Sequence, residues 1–69
     1  MTREEAMKKT AVFYALGDAF NKATGKTVEV NVNTYMVYNE DGTLKFSTPD
    51  VNSVIRTMLV GVRDYLMEV

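Results

Sequence analysis

From Lys26 to Asn39 apolar and polar residues alternate with period 2, which predicts a β-strand. Val28, Val30, Val32, Met36 and Tyr38 fall on one side, interrupted only by Thr34, while Glu29, Asn31, Asn33, Tyr35, Val37 and Asn39 fall on the other. One side therefore requires a core and the other tolerates water. Glu40-Asp41-Gly42 turns the chain back. In a three-residue hairpin loop the last residue takes the left-handed region, where glycine carries no Cβ penalty. With Gly42 in that place, Asn39 faces Thr43, Tyr38 faces Leu44 and Met36 faces Phe46, so Leu44 and Phe46 join the valine face. A two-residue loop at Asp41-Gly42 sets Val37 opposite Phe46 but leaves Leu44 opposite Asn39. The longer loop is preferred, because a slip of one residue moves a whole side-chain set to the wrong face.

Helical periodicity flanks this strand on both sides. Thr2-Arg3-Glu4-Glu5 is a capping box, and Glu4 and Glu5 suit the positive end of the helix dipole. The first helix is expected from about 3 to 23, with Gly25 as its left-handed terminator. Val12, Phe13, Leu16, Ala19, Phe20 and Ala23 form its apolar stripe, and Lys9 lies in line with them, its stem along the stripe and its ammonium in water. Met7, Ala11 and Tyr14 form a second strip on the opposite side, with Ala15 beside them. A strip of that kind is expected to meet another helix or a groove. For the second helix Thr48 is the expected N-cap, with Pro49 in the first helical position and Asp50 complementing the dipole. Val51, Val54, Ile55, Met58, Leu59, Val62, Tyr65, Leu66 and Val69 then make a wide apolar arc, suited to face the sheet and the first helix together. Gly17 and Gly61 lie inside the helices at an edge of each stripe, which a close crossing would explain.

These elements predict one α+β domain over residues 1–69, with two helices packed on one face of a small antiparallel sheet. The order is α-β-β-α, or α-β-β-β-α if the long strand breaks at Asn33-Thr34. The second order resembles the layout of double-stranded-RNA-binding domains, whose second helix opens on basic residues. Thr48-Pro49-Asp50 is acidic there instead, so the resemblance is one of layout alone.

Composition narrows the chemistry. The chain has neither cysteine nor histidine, which excludes disulfides, the usual zinc ligands and Cys–His or Ser–His catalysis. No cofactor and no metal is expected. Glu4/Glu5 and Glu40/Asp41 sit at a helix start and a turn, where acidic residues have structural reasons to be. Asn39-Glu40-Asp41-Gly42 lacks the ligand spacing of a calcium loop, and Gly25-Lys26-Thr27 lacks the upstream glycine of a phosphate loop. Residues 1–26 carry net charge +2 and residues 27–69 carry −3, too small an offset to imply nucleic acid. No apolar run spans a bilayer and the start is polar, so a cytoplasmic protein without signal peptide or membrane contact is expected.

With 69 residues and no staple, stability must come from packing or association. A return strand at about 43–48 covers only the second half of the long strand, which leaves residues 27–33 without ladder partners. Pairing that segment with its copy across a two-fold axis would satisfy the ladder and cover Val28, Val30 and Val32. The expectation is therefore a non-enzymatic interaction protein that forms a homodimer or higher oligomer. It would act as an adaptor or inhibitor of a macromolecular partner, of the kind viruses and mobile elements encode. Partner binding or self-association is assigned to Met7, Ala11, Tyr14, Val28, Val30 and Val32, and a candidate ligand surface to Asn31, Asn33, Tyr35 and Lys45. The alternative is a nucleic-acid or nucleotide binder using Lys8, Lys9, Lys22, Lys26, Tyr35 and Arg56.

Overall fold

A computed structural model of the chain describes residues 1–68. Its elements are α1 (Arg3–Thr24), β1 (Thr27–Asn31), β2 (Thr34–Tyr38), β3 (Leu44–Thr48) and α2 (Val51–Met67). The three strands form an antiparallel meander, and the helices pack against one another and on one face of it, α1 over β1 and α2 over β2 and β3. This is the three-stranded form of the expected α+β fold. Val69, counted in the stripe of the second helix, lies outside the described residues.

Local chemistry places the ends of α1 as anticipated. Thr2 is its N-cap, with Oγ1 accepting the Glu5 N–H at 3.1 Å, and Gly25 terminates it at φ 78° with its N–H donating to the Asn21 carbonyl. The start of α2 differs from expectation. Asp50, not Thr48, is the N-cap. One Asp50 carboxylate oxygen accepts the Asn52 N–H (3.0 Å) and the other the Ser53 hydroxyl (3.0 Å). Thr48 instead accepts the Asp50 N–H (3.1 Å), one step before the helix. The two Asp50 oxygens thus satisfy two donors of the first turn, whereas Thr48 reaches only the Asp50 N–H that precedes it, so the helix begins after Asp50. Asp50→Ala is expected to cost about 1 kcal/mol, read as a lowered denaturant midpoint, and Thr48→Ala less.

The long strand breaks at Val32-Asn33, one residue before the anticipated position, and this reverses its faces. Asn31 pairs with Thr34 across the two-residue turn, which brings Val30 opposite Tyr35 and Val28 opposite Val37. Even-numbered residues of β1 therefore share a face with odd-numbered residues of β2. Val37 is fully buried, whereas Met36 and Tyr38, expected in the core, lie on the open face beside Glu29. The Asn31 side chain begins the turn by accepting the Val32 N–H at 2.8 Å.

The second hairpin combines both registers considered from sequence. Its loop is Glu40-Asp41-Gly42, Asn39 bonds to Thr43, and Gly42 has φ 87°, as the three-residue loop requires. Tyr38 pairs with Leu44, as expected, but Val37 pairs with Phe46 and Met36 with Ser47. The register shift between Val37 and Tyr38 leaves Lys45 as an extra residue on β3. That bulge returns Phe46 to the inner face and leaves Leu44 on the outer one.

Candidate interaction surface

The core is small. Phe20, Val37, Val54 and Met58 are the only buried hydrophobic residues described, collared by partly buried Phe13, Leu16, Val28, Tyr35, Phe46, Ile55 and Val62. The reason is a mismatch of lengths. The 22 residues of α1 extend about 33 Å, whereas each five-residue strand extends about 17 Å. Residues 1–12 are all exposed, so the first turns of α1 stand clear of the sheet. The chain measures 40 × 26 × 15 Å, with a radius of gyration of 12.6 Å where about 11 Å is ordinary for its length.

Several apolar residues expected inside are on the surface. Val12 of α1 and Leu59, Tyr65 and Leu66 of α2 are at least half exposed, Leu66 to 74%. The apolar arcs are wider than one small sheet and one neighbouring helix can cover. The second strip on α1 lies open as expected, with Met7 63% and Tyr14 57% exposed and Ala11 exposed between them.

The six residues assigned to self-association thus fall into different settings. Met7, Ala11 and Tyr14 share one exposed side of α1. Val28 packs against the core, Val30 is exposed at 46%, and Val32 stands in the turn at 91%. Thr27–Asn31, expected to lack ladder partners within one chain, finds them on β2, with β1 at the edge of the sheet.

The polar face assigned to Asn31, Asn33, Tyr35 and Lys45 is not a single surface. Tyr35 faces inward, its ring 6.0 Å from that of Phe13. Asn31 ends β1 on the open sheet face with Thr27 and Glu29, Asn33 stands in the first turn, and Lys45 sits on the bulge. The open sheet face also carries Thr34, Met36, Tyr38, Leu44 and Ser47. There the Tyr38 hydroxyl donates to Met36 Sδ at 3.5 Å. Partial removal from water, and then the Glu29 carboxylate, push the Tyr38 hydroxyl above its usual pKa. In the second turn Asp41 is held below the ordinary carboxylate range, because the Thr43 hydroxyl (2.6 Å) and N–H (2.9 Å) donate to it.

The six residues of the nucleic-acid alternative are not brought together either. Tyr35 is turned inward, and Lys26 binds Glu40 at 3.2 Å. Lys26, Lys45 and Arg56 do line one open groove of about 810 Å³ where the C-terminal ends of α1 and α2 meet. Asp64 and Glu68 line the same groove, and with Lys26 engaged by Glu40 they balance Lys45 and Arg56. Among the described residues, no three acidic side chains converge as metal ligands would. Among the described residues, no helix is long and apolar enough to cross a membrane.

Comparison with protein-family models, with curated proteins and with solved structures finds no match to this chain.

Proposed function

We propose that the chain is a non-enzymatic interaction protein of the cytoplasm, which associates with a copy of itself and so presents a surface to a macromolecular partner, as an adaptor or inhibitor does. One observation carries the reading. The chain exposes 5268 Å², whereas a folded monomer of 7.8 kDa exposes about 4,400 Å². The excess of about 900 Å² is close to the roughly 800 Å² that each partner contributes to a stable protein interface. It includes large apolar side chains on both helices, whose burial is the principal favourable term in association. The exposed strip of Met7, Ala11 and Tyr14 is the surface we assign to the macromolecular partner.

Sedimentation at micromolar concentration tests this. The expected species has about twice the 7.8 kDa chain mass and persists when salt is raised, because an apolar contact is not screened. A 7.8 kDa species at those concentrations overturns the reading. Binding of a labelled oligonucleotide that weakens steeply between low and moderate salt would favour the nucleic-acid alternative instead.

A further inference from the structure

Along one flank of each helix, apolar residues at the border of the core are spaced regularly. On α1, Val12, Leu16, Ala19 and Ala23 recur at intervals of four, three and four. On α2, Ile55, Leu59, Val62 and Leu66 repeat the same intervals. A mean spacing of 3.5 residues keeps an apolar seam along one side of a helix, as in helices that pack along their length. Each seam straddles the boundary between interior and surface. Leu16, Ile55 and Val62 pack against the buried cluster, while Val12, Ala19, Leu59 and Leu66 are exposed. Members of both seams touch that one cluster, so each seam runs from the shared core out to the surface of its helix. The sheet packs on one face of the helix pair, and Val12, Ala19, Leu59 and Leu66 stay exposed in the single chain.

We propose that a second copy of the chain docks on these two seams across a two-fold axis, so that the helix pairs of both chains pack together between two outer sheets. The occupant follows from symmetry, charge and area. A two-fold interface must be complementary to itself. The four positions named in each seam carry no charge, so they oppose their own copy without like-charge contact, and Lys9 stands in line beyond the end of the α1 seam. The excess surface of the whole chain, about 900 Å², to which the exposed seam residues contribute, is of the size each partner of a standard interface loses. A pair of elongated chains only 15 Å thick would also become a four-layer body with a continuous core from Phe20 and Met58 of one chain to those of its copy.

This rests on the self-association proposed above, and the test separates the two. The full chain and two double variants are compared by sedimentation with circular dichroism. Leu59→Glu with Leu66→Glu is expected to sediment at 7.8 kDa with helical content retained. Met7→Glu with Tyr14→Glu, on the other strip, is expected to keep the dimer mass. If the unmodified chain is dimeric and the Leu59/Leu66 variant stays dimeric, the seam assignment falls while self-association stands. If the unmodified chain is monomeric, both fall. Should the Leu59/Leu66 variant unfold, Leu59→Cys gives a single labelling site, because the chain has no cysteine of its own. A nitroxide there is expected to show dipolar broadening that disappears on dilution with unlabelled chain. A dimer without such broadening overturns the proposal.

Discussion

Phe20→Ala is expected to abolish the cooperative unfolding transition of this protein at room temperature. Phe20 is one of four fully buried residues, and its ring lies where α1 and α2 cross. Truncating a buried phenylalanine costs about 3–5 kcal/mol through lost transfer free energy and the cavity left behind. A domain of 69 residues has a total stability of roughly 3–10 kcal/mol, so the loss is comparable with the whole. A larger protein distributes such a defect over many other core contacts, but here only Val37, Val54 and Met58 remain fully enclosed. Denaturation followed by circular dichroism is the measurement. Wild type and variant are compared at one protein concentration, because association adds to apparent stability. A variant midpoint within experimental error of wild type would place the core elsewhere. Val12→Ala, on the exposed flank of the same helix, is the comparison and should change the stability of the isolated chain little.

The helices were legible because their signals are local. Thr2 and Gly25 act through bonds to residues a few positions away, and each occupies the position its chemistry implies. The sheet was less legible, because a period of two carries no record of where a strand breaks. Val32-Asn33 has neither glycine nor proline, and neither residue takes a positive φ. The reversal there depends on the ladder that Asn31 and Thr34 form, which is a tertiary outcome. Its consequence reaches far: placing the break two residues long inverts every side chain of β2, so Val37 enters the core and Met36 leaves it. Lys45 then shifts β3 by one residue to bring Phe46 under Val37. The Asp50 cap was missed because Thr48 before proline is itself a good cap by sequence, and only the paired bonds to Asn52 and Ser53 decide between them. As for the candidate surface, the Met7–Ala11–Tyr14 strip could be read from spacing alone. The exposure of Val12, Leu59 and Leu66 could not, because periodicity marks an apolar flank without saying how much of it one sheet can cover.

Gly17 and Gly61 look alike in the sequence, each inside a helix at the border of an apolar stripe, and they are expected to respond to substitution in opposite directions. A Cβ at Gly61 would stand 2.6 Å from Cε1 and 2.8 Å from Cδ1 of Phe20, and 3.1 Å from Cγ2 of Thr24. The Phe20 ring is enclosed and cannot swing into solvent, so the added atoms force the helices apart. Gly61→Val is expected to destabilise by about 3 kcal/mol, since overpacking costs about 1–3 kcal/mol and a branched side chain adds two methyls beyond the clashing carbon. At Gly17 a Cβ meets no other atom within 4 Å. Gly17→Ala therefore gains helix propensity without a clash and should stabilise by about 1 kcal/mol. Denaturant midpoints of the two variants measured together decide the matter. If Gly61→Val leaves the midpoint unchanged, the helices are not held in contact at Phe20. If Gly17→Ala lowers it, the space beside Gly17 is not open in solution.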